Sequence, residues 1–285
     1  FFAFVFALFT VAVLISTVWY ALSPLHPLVS QARNPLLGKP PGCTILLCAR
    51  NEADNLRRFL PFVLSQKYAA PFEVLVVNDA SDDDTSNVLI LLQKNYPHLR
   101  VLSIREKKSP GKKYALAQGI ESATYDILLC TDADCQPASV HWLETMVRPF
   151  FENPQIDIVL GYAAVGRLGP APTRGTLLNR WIRFETVHTA QTYFSFARAG
   201  LPYMGVGRNL AWRKHLWAQV GGFAAHAHLP SGDDDLFVSA SASSQNTSIC
   251  LDSRAFVFSE EKKSWSEWYA QKHRHLSTGA FYRPK

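Results

Sequence analysis

Four short, nearly unbroken apolar runs recur along the chain: TILLCA (Thr44 to Ala49), EVLVVN (Glu73 to Asn78), VLSI (Val101 to Ile104) and DILLCT (Asp126 to Thr131). Between them lie segments whose apolar residues repeat at helical spacing. Runs that do not alternate with polar residues are strands buried on both faces, and their alternation with helices implies parallel strands joined by crossovers. The predicted fold is an α/β sheet, mainly parallel and flanked by helices. Helices are predicted over Asp54 to Leu64, over Thr85 to Tyr96 with Asp84 as N-cap, over Lys112 to Ala123 after a Ser-Pro-Gly turn, and over Ser139 to Phe151. Ligands of such sheets bind beyond the carboxyl ends of the strands. The residues there are RNE, NDASDDD, REKKSPGKK and DAD, in strand order. Beyond Gly161 the pattern is less regular, with an amphipathic aromatic and basic segment from Leu177 to Ala199, the acidic cluster SGDDDLF and a helix-like SWSEWYAQKHRH.

One apolar stretch departs from this period. Residues 1–22 carry no charge and place Trp19 and Tyr20 near their end. That is about the 20 residues a membrane-crossing helix needs, with an aromatic pair suited to the interface. It reads as a transmembrane helix rather than a signal peptide, since a basic start and a small-residue cleavage site are missing; a buried helix of a globular domain is the third reading. The proline-rich residues 23–42 read as a linker and residues 43–285 as one domain, with a nucleotide-binding half at about 43–138 and an acceptor half at about 139–285. Arg33 and Lys39 follow the stretch, and the chain carries a net charge of +6. The expectation is a membrane-anchored protein with its catalytic domain in the cytoplasm, at the inner membrane if bacterial, and with the membrane as a partner. The chain opens on Phe and stops at FYRPK, which reads as a piece cut at both ends from a longer protein. The 5 cysteines lack metal or redox spacing and read as buried thiols.

Candidate chemistry sits at the strand ends. Asp132 and Asp134 flank Ala133 in a segment expected to be extended, where alternate side chains share a face. Two carboxylates so placed suit Mg2+ or Mn2+ shared with a substrate diphosphate; capping of the next helix is the structural alternative. Asp79, at the end of the second run, is placed to accept a hydrogen bond from a nucleobase, while Ser81 to Asp84 read as capping residues. Lys112 and Lys113 start a helix, where cations oppose the helix dipole, so an anionic partner is inferred beside the alternative of a solvated lysine run. Neither a Gly-x-Gly-x-x-Gly turn nor a Walker lysine loop follows the first strand, which weakens dinucleotide and P-loop readings. Nothing in the pattern calls for nucleic acid.

The order of these motifs resembles the membrane-associated family-2 glycosyltransferases, which have the nucleotide-diphospho-sugar transferase (GT-A) fold. The matching elements are ARNE (Ala49 to Glu52), NDASDD (Asn78 to Asp83), GKKYALAQGI (Gly111 to Ile120), TDADC (Thr131 to Cys135), GVGRNLAWRK (Gly205 to Lys214), VGGF (Val220 to Phe223) and GDDDLF (Gly232 to Phe237). The resemblance implies that Ala49, Asn51, Glu52, Asp79 and Lys112 serve the nucleotide. It makes Asp134 the principal metal ligand, with Asp132 as the ribose-side or second ligand. A later acidic pair supplies the general base in that family, which points to Asp234, with Asp233 beside it. The family's processive members carry Gln-x-x-Arg-Trp; here QKHRH keeps Gln271 and Arg274, for the diphosphate or acceptor, but has His275 in place of the tryptophan. Loss of that stacking aromatic weakens the case for a long polysaccharide product.

The implied activity is sugar transfer from a nucleotide-diphospho-sugar, a UDP-sugar first, to a hydroxyl of a lipid-linked or glycan acceptor in cell-envelope synthesis. One in-line displacement inverts the anomeric configuration, assisted by Mg2+ or Mn2+ and by an Asp base. Three rivals are weighed. A glycoside hydrolase leaves Lys112 and Asp79 unexplained. An inactive nucleotide-sugar-binding subunit of a membrane complex fits poorly with two intact acidic clusters. A nucleotidyltransferase would show a glycine- and arginine-rich loop where this chain has ARNE.

Overall fold

The four apolar runs form β1 (Cys43–Ala49), β2 (Phe72–Asp79), β3 (Leu99–Ile104) and β4 (Ile127–Cys130). The computed structural model describes residues 39–106, 111–166, 176–229 and 231–282. β1 lies between β2 and β4, parallel to both, with Ile45 opposite Val74 on one side and Leu129 on the other. β3 pairs with the outer edge of β2, again parallel. Successive side chains feed opposite faces. Ile45, Leu47, Val74 and Val76 enter a core with Leu56, Leu60, Val88 and Trp142, whereas Leu46, Leu75 and Val77 enter a second core with Ile120, Tyr193 and Phe237. Burial on both faces is why these strands show no polar alternation.

Three helices cross between these strands: α1 (Ala53–Leu64), α2 (Thr85–Asn95) and α3 (Lys113–Ser122). Asp84 precedes α2 but its side chain does not cap it; Asp84 pairs with Arg57 instead. Asp83 does the capping, accepting from the Thr85 N–H at 2.9 Å and from the Ala53 N–H at 3.2 Å. The helix predicted over Ser139 to Phe151 is two, α4 (Trp142–Val147) and α5 (Pro149–Glu152), because Pro149 has no N–H to continue the ladder.

The sheet continues through β8 (Leu210–Arg213), β6 (Ile158–Gly161) and β9 (Thr247–Cys250), in the order β3-β2-β1-β4-β8-β6-β9. β8 runs antiparallel to both β4 and β6, while β9 is parallel to β6, so the sheet is mixed beyond its first four strands. A second sheet places β10 (Val257–Ser259) between β5 (Cys135–Pro137) and β7 (Ala163–Val165). The remaining helices are α6 (Leu177–Arg198), α7 (His215–Gln219), α8 (Asp235–Ser241) and α9 (Trp265–Leu276). No residue of α9 is buried, and Lys272 on it pairs with Glu185 on α6.

The expected transmembrane element is corrected. Among the described residues no helix is long and apolar enough to cross a membrane. α6 has the length, at 22 residues, but Arg180, Arg183, Glu185 and Arg198 interrupt it. Residues 1–22, on which the expectation rested, lie outside the described residues. Over the described residues the fold is therefore an α/β mixed sheet, and neither the span nor the membrane-anchored location is carried forward.

Candidate active site

The loops that follow β1 and β2 are stitched together. Asn51 adopts a left-handed backbone conformation (φ 56°), which asparagine tolerates better than most residues. Its N–H donates to Ser81 Oγ at 3.1 Å and its Oδ1 accepts from the Asp82 N–H at 3.0 Å. The Glu52 N–H donates to Thr85 Oγ1 at 2.9 Å. The Glu52 carboxylate accepts from Asn55 at 2.6 Å, and its pKa is raised by burial and then by the charges of Asp134 and Asp132. Glu52 thus faces the paired aspartates across the strand ends. Ala49 and Asp79 are the buried last residues of β1 and β2.

Past β4 the Thr131 N–H still bonds to the Leu46 carbonyl, and then the chain turns. The Cys135 N–H donates to the Asp132 carbonyl at 3.2 Å, so Asp132 to Cys135 form a tight turn rather than the expected extended segment. Lys112, just before α3, sets Nζ 3.2 Å from Asp132 Oδ1 and 3.0 Å from Asp233 Oδ2. One ammonium thereby bridges two acidic segments a hundred residues apart in sequence. Burial opposes the charge on Lys112, but Asp132, Asp233 and Asp234 outweigh it and raise its pKa well above the usual value. Burial likewise pushes Asp132 up, and Lys112, then Arg208 and Arg274, bring it below the usual carboxylate range. Asp134 fares differently: burial and the charge of Asp132 raise its pKa, and Arg208 and Lys262 offset this only in part. Lys113 turns away from the cleft and donates to the carbonyls of His226 and Leu229 at 2.5 and 3.1 Å.

The second acidic segment divides its labour. Asp233 takes Lys112. Asp234 caps α8, with Oδ1 accepting from the Asp235 N–H at 2.8 Å and Oδ2 from the Gly207 N–H at 2.6 Å. Its pKa is raised to about 7, by burial first and then by Asp233 and Asp235. Asp235 is buried away from the cleft and accepts from Thr278 Oγ1 at 2.5 Å and Tyr282 Oη at 2.9 Å. Lys112, Asp132, Asp233 and Asp234 line one cleft, walled by Leu46 and Cys130. On α9, Gln271 is half-buried and Arg274 is exposed, with its charge reaching Asp132. Arg208 and Lys262 were not singled out from the sequence, yet both act on Asp134. The usable signal was an arginine directly after the second glycine of GVGRN, a place where the backbone is crowded.

Among the described residues no group of three or more His, Cys, Asp and Glu side chains is set to hold a metal ion. Asp132 and Asp134 nevertheless fit a hard cation that takes one or two carboxylates and completes its shell with water and phosphate oxygen. Their mutual repulsion, seen in the raised Asp134, is what a cation would relieve.

Residues 44–203, more than half of the chain, match the family described as Glycosyl transferase family 2. Over 123 residues the chain is 34% identical to poly-beta-1,6-N-acetyl-D-glucosamine synthase of Staphylococcus aureus (strain MSSA476), covering 42% of this chain and 28% of that protein. The Staphylococcus epidermidis protein of the same name is 30% identical over 123 residues, with 42% and 28% covered. The chain thus spans only 28% of the length of these curated relatives. Among solved structures, mannosyltransferase PcManGT from Pyrobaculum calidifontis, in complex with GDP-Man and Mn2+, aligns over 99% of this chain and 76% of its own, at 20% identity and a TM-score of 0.74. Staphylococcus aureus TarS 1-349 in complex with UDP-GlcNAc aligns over 78% of this chain and 59% of its own, at 18% identity and a TM-score of 0.55. At these identities the two structures show a shared fold.

Proposed function

The chain belongs to glycosyl transferase family 2, and from that premise we infer that it transfers a sugar from a nucleotide-diphospho-sugar to an acceptor hydroxyl with inversion at the anomeric carbon. The observation that carries this reading is the Lys112 bridge, which brings Asp132 and Asp233 to one ammonium at 3.2 and 3.0 Å and so joins the two acidic segments in one cleft. A hydrolase has no use for such a cation between its carboxylates.

In this reading the nucleotide-binding half, about 43–138, receives the donor. Asp79, Ala49, Asn51 and Glu52 hold the nucleoside at the stitched strand ends, and Lys112 meets the diphosphate. Asp134 and Asp132 would hold Mg2+ or Mn2+, which when bound supplies positive charge against the diphosphate. Asp234 is the general base. Its pKa near 7 lets it be ionised yet basic at neutral pH, and each carboxylate oxygen keeps a lone pair beyond the one given to a backbone N–H. It takes the proton of the acceptor hydroxyl as that oxygen bonds to the anomeric carbon, and the bond to the diphosphate oxygen breaks on the opposite face. Asp233 keeps Asp234 basic through its charge, and Gln271 and Arg274 serve the diphosphate or the acceptor. The acceptor is a lipid-linked sugar or a glycan, the latter suiting the name of the poly-beta-1,6-N-acetyl-D-glucosamine synthases, and the donors to try are UDP-GlcNAc, then GDP-Man.

Calorimetric binding of UDP, GDP and TDP with and without Mn2+ or Mg2+, repeated on Asp134→Asn, tests the reading. Metal-dependent binding of one diphosphate that is lost in the variant supports it. A folded protein that binds no diphosphate under any of these conditions overturns it.

A further inference from the structure

Arg208 lies in the turn Gly207–Asn209, which is pinned on both sides. Asn209 is fully buried: its Oδ1 accepts from Trp142 Nε1 at 2.9 Å, and its Nδ2 donates to the carbonyls of Tyr162 and Ala255, each at 2.8 Å. Gly161 makes room for that amide, since a Cβ there would stand 2.5 Å from Asn209 Nδ2. On the other side the Gly207 N–H is bonded to Asp234. The backbone of Arg208 therefore has one position, between the base and a satisfied buried amide. Its guanidinium donates to Ser259 Oγ, and Ser259 is the register partner of Cys135, the residue after Asp134.

A guanidinium carries five N–H donors, and Ser259 takes one. Among the described residues Arg208 forms no ion pair with a carboxylate, although its charge acts on both Asp132 and Asp134. Lys262 and Arg274 add positive charge on the same side. A pinned, half-buried arginine with open donors beside the paired aspartates is built for a doubly charged oxyanion that arrives from outside, and phosphate matches its planar fork.

We propose that Arg208 binds the sugar-bearing phosphate of the donor and stabilises the leaving diphosphate. This rests on the transferase reading. As the bond from the anomeric carbon to the β-phosphate oxygen breaks, its electron pair stays on that oxygen, and Arg208 donates to the charge that collects there; the acceptor proton goes to Asp234. Arg208 is then a catalytic residue, distinct from the nucleoside contacts of the β1 and β2 loops.

The test is calorimetry of the full chain with UDP, UMP, GDP, GMP and inorganic pyrophosphate, on wild type, Arg208→Gln, Arg208→Lys and Ser259→Ala. Arg208→Gln is expected to weaken the diphosphate about 30-fold and the matching monophosphate less than about 3-fold. Arg208→Lys recovers only part of the loss, because an ammonium lacks the fork. Ser259→Ala, which keeps the arginine and frees its anchor, weakens the diphosphate several-fold and covers the case in which Arg208→Gln does not fold. Equal losses for mono- and diphosphate, or unchanged diphosphate binding because the arginine serves an acceptor phosphate, overturn the assignment. If wild type binds pyrophosphate but no nucleotide, and Arg208→Gln loses the pyrophosphate, the anion site stands and the transferase reading falls. If wild type binds neither, both fall.

Discussion

The two acidic segments look alike in sequence and behave differently in the fold. In the first, Asp132 and Asp134 share one turn and the charge of Arg208: Lys112 pairs with Asp132 alone, and Asp134 is left raised by burial and by its neighbour. In the second, three consecutive carboxylates point three ways, to a lysine, to two backbone N–H groups and to the hydroxyls of Thr278 and Tyr282. The lesson is that a pair in a turn competes for the same counter-charge, while a run at a helix start is separated by the helix itself. The first arrangement stores repulsion for a ligand to relieve. The second converts repulsion into basicity at one residue only.

Substitutions sharpen that contrast. Asp134→Asn removes the carboxylate with most to gain from a metal, and sugar transfer is expected to fall about 10³-fold, measured with radiolabelled donor. Asp234→Asn removes the proposed base and is expected to cost about 10²-fold or more in kcat, with donor affinity little changed. Asp233→Asn leaves the base in place but deletes a charge that raises it, so the rise of kcat with pH, centred near 7 in wild type, should move to lower pH. Were that rise to stay in place, Asp233 would not tune Asp234. Asp235→Asn breaks the tether instead. The expected loss is about 1–3 kcal/mol of stability, read by chemical denaturation, with a smaller loss of activity than at Asp234.

The same carboxylate leaves a signature in stability. Asp234 in the fold has a pKa of about 7 against an ordinary value of 3.8. The folded chain therefore keeps a proton that the unfolded chain has lost between those values. The resulting stability is fully present below about pH 4 and lost as pH rises through about 7. Asp234→Asn escapes that loss, so its Tm relative to wild type should rise between pH 5 and pH 8.

Much of this was legible because strand runs and strand-end residues are local signals. The runs at Thr44, Glu73, Val101 and Asp126 mark β1 to β4, and the acidic clusters follow directly from where a parallel sheet presents its loops. What escaped depends on distant partners. Asp83 rather than Asp84 caps α2 because its other oxygen is held by the N–H of Ala53, the first residue of α1. Asp235 bonds to Thr278 and Tyr282 across more than forty residues, which no period reveals. The direction of β8, four residues long, is set by pairing with β4 and β6 rather than by its composition. Arg208 was hidden for the same reason: its place is defined by Asn209, Gly161 and Ser259, all chosen by packing.

Helix α9 has no buried residue, and its C-terminal end is moored by the two hydroxyls on Asp235. Its exposed face is open to redesign: a library that keeps Arg274, Thr278 and Tyr282 but varies the exposed positions of the helix would probe acceptor choice while leaving in place the charge that reaches Asp132.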